Sequence, residues 1–144
     1  MRRVALISCV SKKLNEKAQA KELYQSPLFK KNLEWALLEK FDKIYILSAK
    51  YGLVELTFCI EPYDITLNNM PIKERKIWAQ NILDDLLMEE DLDDTEFTFL
   101  AGSRYREFLE KELPFTKVPM EGLQIGKQLQ WLTKNIERLK KQVG

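Results

Sequence analysis

The first residues that could do chemistry follow an early apolar run and would suit an anion. After Val4–Ile7 the chain continues with Ser8, Cys9, Val10, Ser11, Lys12 and Lys13. Backbone amides beside small polar residues provide directional donors and a lysine adds charge, so this segment could hold an anionic group. Cys9 has two interpretations: a small buried apolar residue, or a nucleophilic thiolate that Lys12 or Lys13 would have to stabilise.

A second set follows another apolar run and reads Ser48, Ala49, Lys50, Tyr51, Gly52 and Leu53. Gly52 would allow the chain to turn with a positive φ. Ser48, Lys50 and Tyr51 would then face a cleft just beyond the strand. A surface turn with a capping serine is the alternative interpretation.

Acidic and aromatic residues come together at Glu61, Pro62, Tyr63 and Asp64. Asp64 or Glu61 could act as a general base or orient a water molecule, and Tyr63 could stack on a nucleobase. Alternatively, Tyr63 fills the core while Asp64 caps a turn.

A third apolar run ends at Gly102, Ser103, Arg104 and Tyr105, where a helix is expected to begin. Free backbone amides at a helix start suit an anion or a carbonyl oxygen, and Arg104 would reinforce them.

Composition excludes several classes of mechanism. The 144 residues include no histidine, which rules out Ser-His-Asp and Cys-His catalysis. With two cysteines and no histidine, catalytic zinc is not expected, although oxygen-bound magnesium stays open. The 23 basic and 22 acidic residues nearly cancel, so no global field favours nucleic acid or membrane. The lysines between Lys12 and Lys21 form either a local basic patch or a solvated loop.

The elements that must position these residues alternate between strand and helix. Short apolar runs predict strands, and helical periodicity with capping signals predicts helices. In chain order the predicted elements are strand 3–8, helix 26–41, strand 43–48, helix 70–87, strand 96–101, helix 104–113, a short strand 116–119 and helix 125–141.

This alternation predicts an α/β fold: a three-layer α/β/α sandwich with a mostly parallel, four-stranded sheet. Ligands bind beyond the carboxyl ends of the strands in such sheets, so residues 8–25, 48–69 and 102–105 should surround one cleft. The chain is expected to form a single domain over residues 1–144. No apolar stretch approaches a membrane span or a signal core, and we expect a cytoplasmic protein.

These motifs together resemble the family named domain of unknown function 6884. The resemblance spans nearly the whole chain and rests on Ile7-Ser8-Cys9-x-x-Lys12-Lys13, Leu23-Tyr24-x-Ser26-x-x-Phe29, Leu47 to Leu53, Glu61-Pro62-Tyr63-Asp64-x-Thr66-Leu67 and Gly122-Leu123-x-Ile125-Gly126.

The chain is also distantly similar to the core domain of archaeosine synthase, which modifies a 7-deazaguanine base in transfer RNA. Cys9, Lys12 or Lys13, Tyr24-x-Ser26, Ser48, Gly52-Leu53-Val54 and Tyr63-Asp64 carry that similarity. It implies a fold like that of the uracil-DNA glycosylases. This chain has Ser8 where that core has proline, and it lacks the core's histidine and RNA-docking module.

Together these observations predict an enzyme directed at a nucleobase or nucleotide, free or within nucleic acid, that needs no cofactor. It would hydrolyse a glycosidic bond or modify a 7-deazaguanine-like or other modified base. Asp64 would be the base or would orient a water molecule, Lys13 or Lys50 would stabilise negative charge, and Tyr24 and Tyr63 would stack. The remaining expected substrate contacts are Ser8, Cys9, Ser26, Ser48, Tyr51, Gly52, Glu61, Gly102, Ser103 and Arg104. The alternatives are a non-catalytic module that binds a nucleotide or phosphorylated metabolite and a protein-interaction domain that uses the long helices. The oligomeric state stays open.

Overall fold

The structure is a computed structural model that describes residues 1–143. Its strands are β1 (Arg2–Ser8), β2 (Ala18–Gln19), β3 (Lys43–Ser48), β4 (Gly52–Glu55), β5 (Cys59–Ile60), β6 (Thr95–Leu100) and β7 (Thr116–Lys117). Its α-helices are α1 (Ala20–Leu23), α2 (Pro27–Leu38), α3 (Ile72–Glu89), α4 (Ser103–Glu110) and α5 (Ile125–Val143).

The main sheet has the strand order β4-β3-β1-β6-β7. β1 pairs in parallel with both β3 and β6, and β7 pairs in parallel with β6. Val4, Ala5, Leu6 and Ile7 are each 0% exposed, which confirms that β1 is covered on both faces. The mixed α/β fold with a mostly parallel sheet is therefore confirmed.

The sheet has five strands, so the expected number of four is wrong. The additional strand is β4, which turns back beside β3 and pairs with it in the antiparallel direction, placing Ser48 opposite Gly52. Gly52 has a φ of +75°, which confirms the positive φ expected for this turn. Four residues after a tight turn give too short a pattern to be recognised as a strand.

Two segments outside the main sheet pair with each other: the segment after β1 and the segment after β4. β2 pairs in the antiparallel direction with β5, forming a separate two-stranded ribbon. The backbone N–H groups of Ala20 and Lys21 donate to the carbonyls of Phe58 and Leu56 at 2.8 Å and 2.9 Å. The segment after β1 and the segment after β4 therefore hold each other in place.

The helices pack in pairs. α2 contacts α5, and α3 contacts both α4 and β4. The rings of Trp35 on α2 and Trp131 on α5 meet edge-on, with their centroids 5.2 Å apart. This contact joins the last turn of α2 to α5.

Glu90, which directly follows α3, is a buried acidic residue. Its carboxylate accepts hydrogen bonds from Nε of Arg2 and, at 2.9 Å, from the hydroxyl of Tyr45. A buried carboxylate needs such partners, and here they join the end of α3 to β1 and β3. Within residues 1–143, no helix is long and apolar enough to cross a membrane.

Candidate functional site

A cavity of about 840 Å³ lies beyond the carboxyl ends of β1 and β6. Four parts of the chain surround it: the segment after β1, the start of α2, residues 64–69, and the turn from β6 into α4. The N-terminal part of α5 completes the wall through Ile125, Gln128 and Leu129. A second depression of about 610 Å³, beside Glu90 and Leu113, carries none of the expected site residues.

Eight of the residues singled out from the sequence line the larger cavity: Ser8, Cys9, Lys13, Ser26, Asp64, Gly102, Ser103 and Arg104. Parallel strands point their carboxyl ends to the same edge of a sheet, so the segments after β1 and β6 meet there. The ribbon of β2 and β5 carries the segment with Asp64 to the same place.

Lys13 is the half-buried cation of this cavity. The Lys13 backbone forms an antiparallel β-bridge with Tyr24, which fixes the position of the Lys13 backbone and the direction of the Lys13 side chain. Its Nζ donates to the Ser11 carbonyl at 3.2 Å and lies 4.4 Å from the centre of the Tyr63 ring. Burial lowers the pKa of the Lys13 ammonium, while negative charge on the Cys9 sulfur or on the Asp64 carboxylate acts in the opposite direction. Lys13 and Asp64 are thus close enough to influence each other, but form no ion pair.

Tyr24, Ser48 and Tyr63 form a hydrogen-bonded cluster behind this wall. Ser48 donates to the Tyr63 hydroxyl at 2.8 Å, and the hydroxyls of Tyr24 and Tyr63 are 2.7 Å apart. Burial raises the pKa of Tyr24 to about 12 and also raises the pKa of Tyr63. The hydroxyls therefore remain protonated near neutral pH.

The stacking and donor roles expected for this cluster have no support in its geometry. Tyr24 is 1% exposed and packs against Phe29, and Ser48 also accepts the backbone N–H of Tyr51 at 3.0 Å. Their polar atoms have partners inside the protein. We interpret Tyr24 and Ser48 as residues that position Tyr63 and, through its ring, Lys13.

Four further expected residues do not line the cavity: Lys50, Tyr51, Gly52 and Glu61. The hairpin of β3 and β4 carries the first three along the sheet edge instead of over the cleft. Lys50 is exposed, with its Nζ 5.4 Å from the centre of the Tyr51 ring. A charge-stabilising role in this cavity therefore has geometric support for Lys13 and none for Lys50.

Cys9 lies in the cavity wall and is 8% exposed. Its Sγ is 3.4 Å from the hydroxyl of Tyr105, whose pKa is raised by burial. A protonated tyrosine can donate to the sulfur, which orients the side chain whether it acts as a wall residue or as a thiolate.

Sequence reasoning missed Asn32 on α2 and Gln128 on α5, which both line the cavity. Asn32 is 4% exposed, and its Oδ1 accepts no hydrogen bond from any described residue. A signal was present: Asn32 lies at core spacing between Phe29 and Ala36, both buried on the same helix. An amide in an apolar stripe calls for a hydrogen-bonding partner.

Comparison with curated proteins and comparison with solved structures gave no match. The similarity to the archaeosine synthase core thus stays a prediction. The family of unknown function DUF6884 matches residues 4–134, which include the whole main sheet except Arg2 and Arg3 of β1, and every residue of the cavity wall. The chain therefore belongs to the DUF6884 family, as its motifs indicated.

Proposed function

We propose that this protein is an enzyme acting on a nucleobase or nucleotide, free or within nucleic acid. It would hydrolyse a glycosidic bond or modify a 7-deazaguanine-like or other modified base. The observation that carries the proposal is a single cavity that holds the carboxylate of Asp64 together with the cations of Lys13 and Arg104.

The charges of this cavity favour a ligand with negative charge. In the described chain, neither Lys13 nor Arg104 forms an ion pair with a carboxylate. α4 begins at the cavity with Gly102 as its N-cap, and no side chain caps its free amides. Cations and free amides around one space stabilise a phosphate group or the negative charge that develops during a reaction.

Asp64 is the residue best placed to move a proton. The chain has no histidine, and Asp64 is the carboxylate among the residues that line the cavity. Asp64 would accept a proton or orient a water molecule, while Lys13 stabilises the leaving group. The cavity of about 840 Å³ falls within the usual range for small-molecule sites, roughly 300–1,000 Å³.

The proposal includes the finer form of the fold, a three-layer sandwich like that of the uracil-DNA glycosylases. The similarity of Cys9, Tyr24, Ser26 and Tyr63-Asp64 to the archaeosine synthase core supports a base-directed reaction. A shared scaffold does not transfer the reaction itself, so both hydrolysis and base modification are tested below.

The same cations also support a second candidate function, a non-catalytic module that binds a nucleotide or phosphorylated metabolite. Lys13, Arg104 and the amides that begin α4 could hold a phosphate without chemistry. Asp64 distinguishes the two, because a binding module has no need of a general base.

The test is a mass-spectrometric screen of the pure protein against nucleosides, nucleotides and short oligonucleotides, followed by kinetics of Asp64→Asn. We expect the variant to lose turnover by about 10²–10⁴-fold while its affinity stays within a few-fold, because the amide keeps the shape but cannot accept a proton. Asp85→Asn, an exposed change on α3, is the matched control.

Binding without turnover in the wild type would favour the binding module. Unchanged turnover in Asp64→Asn would contradict the role of Asp64. Phosphosugar binding together with no binding of any nucleoside, nucleotide or oligonucleotide would overturn the nucleobase proposal.

A further inference from the structure

Asn32 is a buried polar residue whose side-chain oxygen has no hydrogen-bond partner within residues 1–143. It lies on α2, is 4% exposed, and lines the cavity. Its Oδ1 accepts no hydrogen bond from the described residues. An unpaired buried amide oxygen destabilises a fold, so such a group calls for a ligand or another explanation.

The wall around Asn32 combines apolar surface with amide groups. Leu28 from α2 and Ile125 and Leu129 from α5 supply the apolar part. Gln128 adds a second amide, held in place because its Nε2 donates to the Leu123 carbonyl at 2.8 Å. A nucleobase has apolar faces and an edge of donors and acceptors, and a side-chain amide matches such an edge with one donor and one acceptor.

The charged residues of the cavity favour a phosphorylated ligand over a free base. Lys13, Arg104 and Asp64 are the ionisable lining residues with a formal charge, which leaves an excess of one positive charge. Arg104 is exposed at the start of α4, next to Ser103 and to backbone amides that no side chain caps. A guanidinium beside free amides is well suited to a phosphate.

We infer that the ligand is a nucleoside phosphate, with its base edge on the Asn32 amide and its phosphate at Arg104 and the start of α4. This inference deepens the proposed function and rests on it. Asn32 is then a specificity-determining residue. Its unpaired amide oxygen lowers the stability of the free protein, and the bound base supplies the missing hydrogen bond.

The test uses calorimetric titration of the full chain with AMP, GMP, CMP and UMP, with the matching nucleosides and with inorganic phosphate. We expect one nucleotide to bind at least about tenfold more tightly than its nucleoside and than phosphate, since both ends of the ligand have partners. Asn32→Leu should weaken that nucleotide at least about tenfold, leave phosphate binding unchanged and raise the melting temperature. Asn81→Leu, an exposed change on α3, is the matched control.

Arg104→Gln provides an independent readout on an exposed residue whose change leaves the fold intact. It should weaken the nucleotide and leave the nucleoside unchanged. The inference is overturned if Asn32→Leu binds the nucleotide as the wild type does, if its melting temperature falls, or if Arg104→Gln leaves nucleotide affinity unaltered. If the wild type binds none of the nucleotides or nucleosides, the proposed function fails instead.

Discussion

At the residue scale, the position of Lys13 depends on side chains that do not line the cavity. The Tyr63 ring lies 4.4 Å from the Lys13 ammonium, and the Tyr63 hydroxyl is held by Ser48 and Tyr24. The Ser48 carbonyl in turn accepts from the indole N–H of Trp78 at 2.9 Å. These buried hydrogen bonds connect the end of β3 and helix α3 to the cavity wall.

Tyr24 predicts a loss of stability at alkaline pH. Its pKa rises from 10.0 to about 12 on folding, mainly because burial disfavours the phenolate. Between pH 10.0 and about pH 12, the Tyr24 hydroxyl loses its proton in the unfolded chain but keeps it in the folded chain. The free energy of unfolding therefore falls as pH rises through this range. Tyr24→Phe removes the group and should give a shallower fall over this range in urea unfolding.

Asn81→Leu, an exposed change on α3 that removes no titratable group, is the control and should follow the wild-type curve. Parallel curves for the wild type and Tyr24→Phe would contradict the assignment of this loss to Tyr24.

At the scale of elements, α2 builds much of the site. Ser26 accepts the Phe29 N–H at 3.1 Å and Pro27 opens the helix. The helix then places Asn32 in the cavity and Trp35 against α5. Its start therefore affects both stability and binding.

Two substitutions of Ser26 should separate these effects. Ser26→Ala removes the cap and should lower the free energy of unfolding by about 1 kcal/mol. Ser26→Asp keeps the cap, so stability should be retained, but it adds a negative charge at the cavity and should weaken nucleotide binding. Chemical unfolding and calorimetry measure the two effects. Equal nucleotide affinity in the wild type and Ser26→Asp would show that the phosphate lies away from this wall.

The elements that could be predicted from the sequence are those whose burial requires a long run or a regular spacing of apolar residues. β1, β3 and β6 are continuous apolar runs, and the carboxyl ends of β1 and β6 do bring Lys13 and Arg104 to one cavity. β4 and the β2–β5 ribbon were not predicted, because a strand of two to four residues is too short to show a periodic pattern of apolar residues. Lys50 was misplaced as a consequence, since the unrecognised hairpin turns it away from the cleft.

The contribution of α5 depends on tertiary packing. The helix itself was predicted, but no local pattern indicates that Gln128 lies beside Asn32. That neighbourhood depends on the packing of α5 against α2 through Trp131 and Trp35. Asn32 was the accessible clue, since an amide among buried apolar residues can be recognised from spacing alone.

At the scale of the whole molecule, the net charge indicates that ligand binding depends on the residues of the cavity and not on the overall charge. The formal net charge is +1, so the protein lacks a strong overall field that would attract anions to every surface. The two cations of the cavity act locally, at the edge of the sheet where α2, α4 and α5 begin. A ligand bound there should leave the opposite end of the sheet, with the Glu90 cluster, unaffected.

The most direct test of this account is an NMR titration of the ¹⁵N-labelled protein with the nucleotide that binds best. The account predicts shifts concentrated at residues 8–13, 26–32, 64–69, 102–105 and 125–129, with Asn32 and Gln128 side-chain amides among the largest. Shifts centred on Lys50 and Tyr51, or spread over the surface without saturation, would contradict it.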